Sequence, residues 1–198
     1  MSVRILSSIG EAVGPHLEAL AHLRIAVFRD YPYLYDGDMA YEQRYLQAYA
    51  RSHRSVFVLA LDGDAVVGCS TGIPLADEVP AIQQPFVQRG MLLNDVFYFG
   101  ESVLLPAYRG QGIGHRFFDA REAHARALDG CRWTAFCAVE RATDDARRPA
   151  DYRPNDAFWN KRGYQRQDDM FCELDWSEVG AAASATHRLR YWLRPLDA

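Results

Sequence analysis

The sequence predicts an α/β domain built on a sheet of mixed strand direction, and three observations predict it. In SVFVLALDGDAVVGCSTG, residues 55–72, two β-branched runs flank Asp62-Gly63-Asp64, the pattern of an antiparallel hairpin. The apolar run that ends at Pro106 passes through Arg109-Gly110-Gln111-Gly112-Ile113-Gly114 into apolar residues at helical spacing, so a strand leads through a glycine turn into a helix. Strand-like and helix-like runs succeed one another irregularly, unlike the regular alternation of a doubly wound nucleotide-binding sheet.

Taken in order, VRIL at 3–6 reads as a short first strand. From Glu11 to Phe28 the apolar positions Leu17, Leu20, Ala21, Ile25 and Phe28 recur at three and four, which is an amphipathic helix. A polar-aromatic run from Tyr31 to Tyr49 supplies the second helix, and the hairpin follows. Residues 75–94 carry Pro80, Pro85 and Gly90 and read as loop or short helix. DVFYFGESVLLP, 95–106, reads as one strand, and Ile113, Phe117, Ala120, His124 and Leu128 form the buried stripe of the helix after it. CRWTAFCAV is a further strand, followed by a charged connection from Glu140 to Pro154 that is too long for a simple turn. NDAFWNKRG is a short helix stopped by Gly163, and two last strands near 168–175 and 188–194 flank GAAASAT. The total is about seven strands and about four helices in one domain over 1–198.

Bulk properties narrow the function. With 198 residues, 49% hydrophobic and 24% charged, the chain can bury one substantial core. A formal charge of -4 offers no broad basic surface for nucleic acid, and no apolar run approaches the roughly 20 residues that span a bilayer. MSVRILSSIG lacks the pattern of a signal peptide, so the expected location is cytoplasmic. Cys69, Cys131, Cys137 and Cys172 form no close C-x-x-C pair and have no histidine at ligand spacing, so reduced structural thiols and no metal are expected.

The glycines decide the rest. A G-x-G-x-x-G fingerprint starting at Gly110 requires glycine where His115 stands, and GIGHRF has neither the lysine nor the hydroxyl of a nucleoside-triphosphate loop. What remains, Arg109-x-x-Gly112-x-Gly114 after a strand and a Pro-x-x-Arg-Gly turn, resembles the acyl-CoA pyrophosphate loop of the GNAT superfamily of N-acetyltransferases. AFWNKRGY likewise resembles that superfamily's A-x-x-F-Y-x-K-x-G-F segment, and the likeness covers most of the chain. The resemblance implies a single GNAT-like domain with a splay at the fourth and fifth strands. It also implies acetyl-CoA as co-substrate, held by the backbone of Val103 and Leu104 and by Arg109, Gly110, Gln111, Gly112, Ile113 and Gly114, with Trp159 against the pantetheine. The physics agrees, because glycine lets the backbone approach phosphates and a helix N-terminus offers unpaired donors with about half a unit of positive charge.

Trp159 stands where the family usually has the tyrosine that protonates the departing thiolate, and an indole is no usable acid. Tyr152, in the preceding loop, is the replacement candidate. Glu101, inside an apolar strand, is either paired, for instance with an arginine, or the base that takes the acceptor's proton. Tyr31, Tyr33 and Tyr35 are candidate lining for the acceptor pocket, with Asp36, Asp38 and Glu42 adding negative charge suited to a cationic amine. The expected activity is acetyl transfer to a primary amine of a small molecule or peptide by direct attack, with a homodimer left open. A catalytically silent acyl-CoA-binding or sensory domain and a structural module are the alternatives.

Overall fold

The computed structural model describes residues 3–196. Its elements are β1 (Arg4–Ile9), α1 (Leu17–Phe28), α2 (Met39–Arg51), β2 (Val56–Asp62), β3 (Ala65–Pro74), α3 (Pro80–Gln88), β4 (Val96–Tyr98), β5 (Ser102–Leu104), α4 (Ile113–Arg126), β6 (Trp133–Val139), α5 (Asp156–Lys161), β7 (Gln165–Ser177) and β8 (Ser184–Pro195). One eight-stranded sheet runs in the order β1-β2-β3-β4-β6-β8-β7, with β5 also paired to β3. Pairing is antiparallel except between β4 and β6, so the sheet is mixed as expected.

The hairpin closes where Asp62 faces Ala65, with Gly63 at a φ of 60° that glycine adopts without strain. Along β2, Val56, Val58 and Ala60 pack on one side of the sheet and Phe57, Leu59 and Leu61 on the other. Both faces are therefore covered, which is why this run lacks polar alternation. Leu20, Leu46 and Phe86 of the first three helices cover one face, and Phe117, Phe118, Phe158 and Trp159 of α4 and α5 cover the other.

The structure adds detail to several elements. The helix expected from Glu11 begins as a tight turn over Gly10–His16 and becomes α-helical only at Leu17, after Pro15, which has no N–H to donate. Residues 75–94 hold a helix, α3, with Pro80 in its first turn. The last two strands are longer than their apolar cores suggest: β7 starts earlier, at the exposed Gln165 and Arg166, and runs on through the half-buried Trp176 and Ser177, while β8 starts in the exposed Ser184, Ala185 and Thr186.

The strand expected over 95–106 is two strands. Ile73 pairs with Tyr98 and Ser70 with Ser102, so three steps along β3 (73 to 70) match four along its partner (98 to 102). The extra residue is a β-bulge at Gly100 and Glu101, both of which bond the backbone of Thr71. A Cβ at Gly100 would crowd the hydroxyls of Tyr49, Thr71 (2.7 Å) and Tyr45 (2.9 Å), which would have to shift. Beside the bulge the sheet opens. β4 pairs with β6 from Val96 to Tyr98, and Phe99 N–H donates to the Ala135 carbonyl at 2.8 Å. Beyond that point β5 keeps to β3 while β6 continues along β8.

Candidate active site at the splay

The cradle lies at the far end of β5. Gly110 and Gly112 both sit at φ 76°, the left-handed region, and a Cβ built on either meets nothing within 4 Å. Glycine is thus demanded by the turn's conformation, worth about 1–2 kcal/mol per residue, and the surface above it is open. Gly114 differs, because it lies in the first turn of α4 and a Cβ there would touch only Phe158, at an ordinary 3.5 Å. Arg109 Nε donates to the Leu104 carbonyl (3.2 Å) and Gln111 Nε2 to that of Ala107 (3.1 Å), bracing the turn. Ile113, 2% exposed, pins the start of α4 into the core. The first helical bond is donated by Arg116 to Gly112, which leaves the N–H groups of Ile113, Gly114 and His115 without a partner inside the helix. They make the positive end of a 14-residue helix. The His115 ring packs on Phe158.

Between cradle and bulge, the backbone of β5 faces two ways. Leu105 N–H donates to the Val67 carbonyl and the Glu101 carbonyl accepts from Thr71 N–H, so odd-numbered residues belong to the β3 ladder. Even-numbered residues, Ser102 and Leu104, therefore turn their N–H groups away from β3, into the splay. Val103 is opposite Cys69 with its side chain fully buried, and its backbone faces β3 rather than the opening.

Glu101 is 7% exposed and faces α1 and α2. Its Oε2 meets Arg24 Nη1 at 2.5 Å and accepts from the Tyr45 hydroxyl at 2.9 Å, while its Oε1 is buried without a hydrogen-bond partner. Arg24 also binds Glu42, which is fully buried, and the Arg24 guanidinium stacks over Tyr45. Burial works against the Arg24 charge, but Glu101, Tyr45 and Glu42 outweigh it and hold its pKa above the ordinary arginine value. Beside them Tyr49 donates to Glu78, whose carboxyl burial pushes up. The Thr71 hydroxyl, at the same bulge, is also buried without a partner. The arrangement is a buried polar cluster of carboxylates, tyrosines and one guanidinium, in which Glu101 Oε1 and Glu42 Oε1 are each left with nothing to accept.

The tyrosine segment lies beside this cluster, with Tyr33 close enough for Arg24 and Glu101 to act on its hydroxyl. Tyr31 meets the ring of Tyr152 edge-on at 4.7 Å, and Tyr33 lies between Phe28 (4.6 Å) and Trp176 (5.9 Å). Tyr35 bridges Glu178 at the β7–β8 turn, and its N–H donates to the Phe28 carbonyl. Arg141 fastens the segment, donating to the Pro32 and Tyr33 carbonyls while pairing with Glu178. Tyr152 is half-buried, and burial raises its pKa, followed by the nearby Tyr31. Trp159 packs on Phe136 and Trp192, on the α4 side of the sheet. The acids expected to attract an amine are otherwise engaged: Asp38 caps α2 by accepting from Tyr41 N–H, Asp36 pairs with Arg29 at the surface, and Glu42 holds Arg24.

Sequence reasoning missed Arg24 and Glu78, and had Tyr45 and Tyr49 only as members of the tyrosine-rich run from which some residues should line a pocket. The available signal was Arg24 itself, a charge in the mostly apolar LAHLRIAVF that needs a partner where it is buried. Among the described residues, no group of three or more His, Cys, Asp or Glu could hold a metal ion, and no helix is long and apolar enough to cross a membrane.

The sequence model of the acetyltransferase (GNAT) family matches residues 20–150. Solved structures share the fold at low identity. Phosphinothricin acetyltransferase from Sinorhizobium meliloti, in complex with AcCoA, is 15% identical, with 99% of this chain and 89% of that chain covered and a TM-score of 0.62. The yncA protein from Salmonella typhimurium, with its cofactor acetyl-CoA, is 12% identical over 100% and 96%, TM-score 0.61. Ribosomal-protein-alanine N-acetyltransferase from Brucella melitensis is 15% identical over 96% and 99%, TM-score 0.62. No curated protein sequence matches the chain.

Proposed function

The chain belongs to the acetyltransferase (GNAT) family, and from that premise we propose that it transfers an acetyl group from acetyl-CoA to a primary amine by direct attack. The observation that carries the proposal is the alignment of three features along one strand: the left-handed glycine turn with free helix N–H groups, the outward N–H groups of Ser102 and Leu104, and the partnerless Oε1 of Glu101 at the bulge. The residues fit the co-substrate, because an anion can approach Gly110 and Gly112 without meeting a Cβ. When bound, acetyl-CoA supplies an acetyl group activated as its thioester.

The chain's own groups divide the remaining work. Arg109, Gly110, Gln111, Gly112, Ile113 and Gly114 hold the pyrophosphate, chiefly through backbone N–H groups. Leu104 and Ser102 present donors along the splay, and Trp159 packs beside the pantetheine. Glu101 receives the acceptor's ammonium at Oε1 and takes its proton, directly or through water. Tyr152, kept protonated by burial, returns a proton to the departing sulfur. Tyr31, Tyr33 and Tyr35 shape the acceptor side, which suits a small-molecule or peptide amine. No cysteine serves as nucleophile in this scheme. The silent acyl-CoA-binding alternative is favoured by Trp159 alone.

A thiol-release assay with acetyl-CoA against a panel of amines and peptide N-termini tests the proposal. Amine-dependent release with the acetyl group recovered on nitrogen is expected. CoA binding with no release across the panel selects the silent alternative, and no CoA binding removes both.

A further inference from the structure

A second guanidinium lies behind the bulge, on the side of the sheet opposite Arg24. Arg121, on α4, is 1% exposed and stacks 4.0 Å from the Phe99 ring and 4.8 Å from that of Phe118. Its Nη1 donates to the carbonyl oxygens of Glu101 (3.0 Å) and Thr71 (3.2 Å), its Nη2 to Ser102 Oγ (2.9 Å) and its Nε to the Phe117 carbonyl (3.4 Å). Among the described residues no carboxylate lies within ion-pair distance of it. Burial pulls its pKa down to about 10, which still leaves it charged at neutral pH. Burying a charge without a counter-ion is costly, and a neutral donor suffices to satisfy bulge carbonyls. A full positive charge at this place calls for a use.

We propose that Arg121 is a positioning residue for the acetyl carbonyl of the co-substrate, acting through the peptide that joins Glu101 to Ser102. That peptide is planar and trans, so its carbonyl and its N–H point in opposite directions. The Glu101 carbonyl points at Thr71 N–H and Arg121, and the Ser102 N–H therefore points into the splay. A charge-assisted hydrogen bond at the oxygen draws electron density along the peptide and makes the N–H at its other end a stronger donor. The donor is fixed before reaction and needs no rearrangement when the acetyl oxygen gains negative charge. Arg121 also holds Ser102 through its hydroxyl, which limits rotation of the same peptide. The inference rests on the acetyl-CoA reading above.

The test uses the ketone analogue of acetyl-CoA, in which a methylene group separates sulfur from a ¹³C-labelled acetyl carbonyl, and reads its infrared stretch when bound. In the parental protein the stretch lies below its value in water. In Arg121→Met it moves back toward the water value, and in Arg121→Lys, which keeps the charge, it stays nearer the parental position. Turnover of folded Arg121→Met falls about tenfold to a hundredfold, below the full cost of deleting such a donor, while the dissociation constant for CoA changes by no more than about threefold. A bound stretch equal to that in water in the parental protein overturns the inference whether or not the variants fold. So does an unchanged stretch in a folded Arg121→Met. Failure of the parental protein to bind CoA in calorimetry is a distinct result, which overturns the acetyl-CoA reading and this inference with it.

Discussion

Glu101 and Glu122 are both carboxylates buried against guanidinium groups, one on each side of the sheet, and they end differently. Glu122, 3% exposed on α4, has both oxygens engaged: Oε2 accepts from Arg162 (2.9 Å) and Arg194 (3.0 Å), and Oε1 from the Tyr164 hydroxyl (3.2 Å). It joins α4, α5's C-terminal turn and β8, and nothing is left over for a ligand. Glu101 shares its arginine with Glu42, and each of the two keeps one buried oxygen with no donor. An unsatisfied buried acceptor costs about 1–3 kcal/mol, and the one beside the bulge, on Glu101, is the one we propose meets the acceptor, whereas Glu122 is a fastening.

The largest effect sharpens this contrast. Glu122→Ala strands Arg194, leaves Arg162 only the exposed Asp119, and should cost roughly 3–5 kcal/mol, read as a fall of roughly 10 °C in melting temperature. Turnover per folded molecule should stay parental, and a selective loss of turnover would erase the distinction between the two glutamates.

Next comes the cradle. Gly112→Val forces a branched residue to φ 76° and should weaken CoA binding at least about tenfold, or about 1.4 kcal/mol, in calorimetry. Unchanged affinity in a folded variant would separate the glycine turn from CoA. Tyr152→Phe should lower turnover about tenfold at unchanged CoA affinity. Since burial raises the Tyr152 pKa, the acid form persists to higher pH, and any alkaline limb it contributes should lie above the ordinary tyrosine range near 10. Full turnover in Tyr152→Phe would mean that the thiolate leaves unassisted. The smallest effect is expected at Gly114→Ala, where the space and backbone are ordinary, with CoA affinity within about twofold of parental. A larger loss would move the anion deeper along α4.

What could be read in advance follows the range of the interactions involved. The hairpin and the glycine turn are local: each is decided by a few neighbouring residues and a backbone conformation glycine alone adopts freely, so both were legible. The bulge was not, because it arises from the packing of Tyr45, Tyr49 and Thr71 around Gly100, contacts among three separate elements that no periodicity records. The alternatives for Glu101 could be framed from its apolar setting, but its partner stands 77 positions earlier (101 − 24), on α1. Glu42 looked like an exposed recognition acid for the same reason, since its burial depends on Arg24. Val103 and Leu104 could be placed at the splay, yet which of them turns its N–H inward depends on a register that the bulge sets.

The most direct test is the single-turnover rate of Glu101→Gln, loaded with acetyl-CoA and mixed with an acceptor found in the amine panel, in protein whose melting shows it folded. A loss of about 10²–10⁴-fold is expected, with CoA affinity nearly unchanged because the cradle lies at the other end of β5. A variant that melts early but, while folded, transfers acetyl at the parental rate would contradict it, and Glu101 would then be a fastening like Glu122.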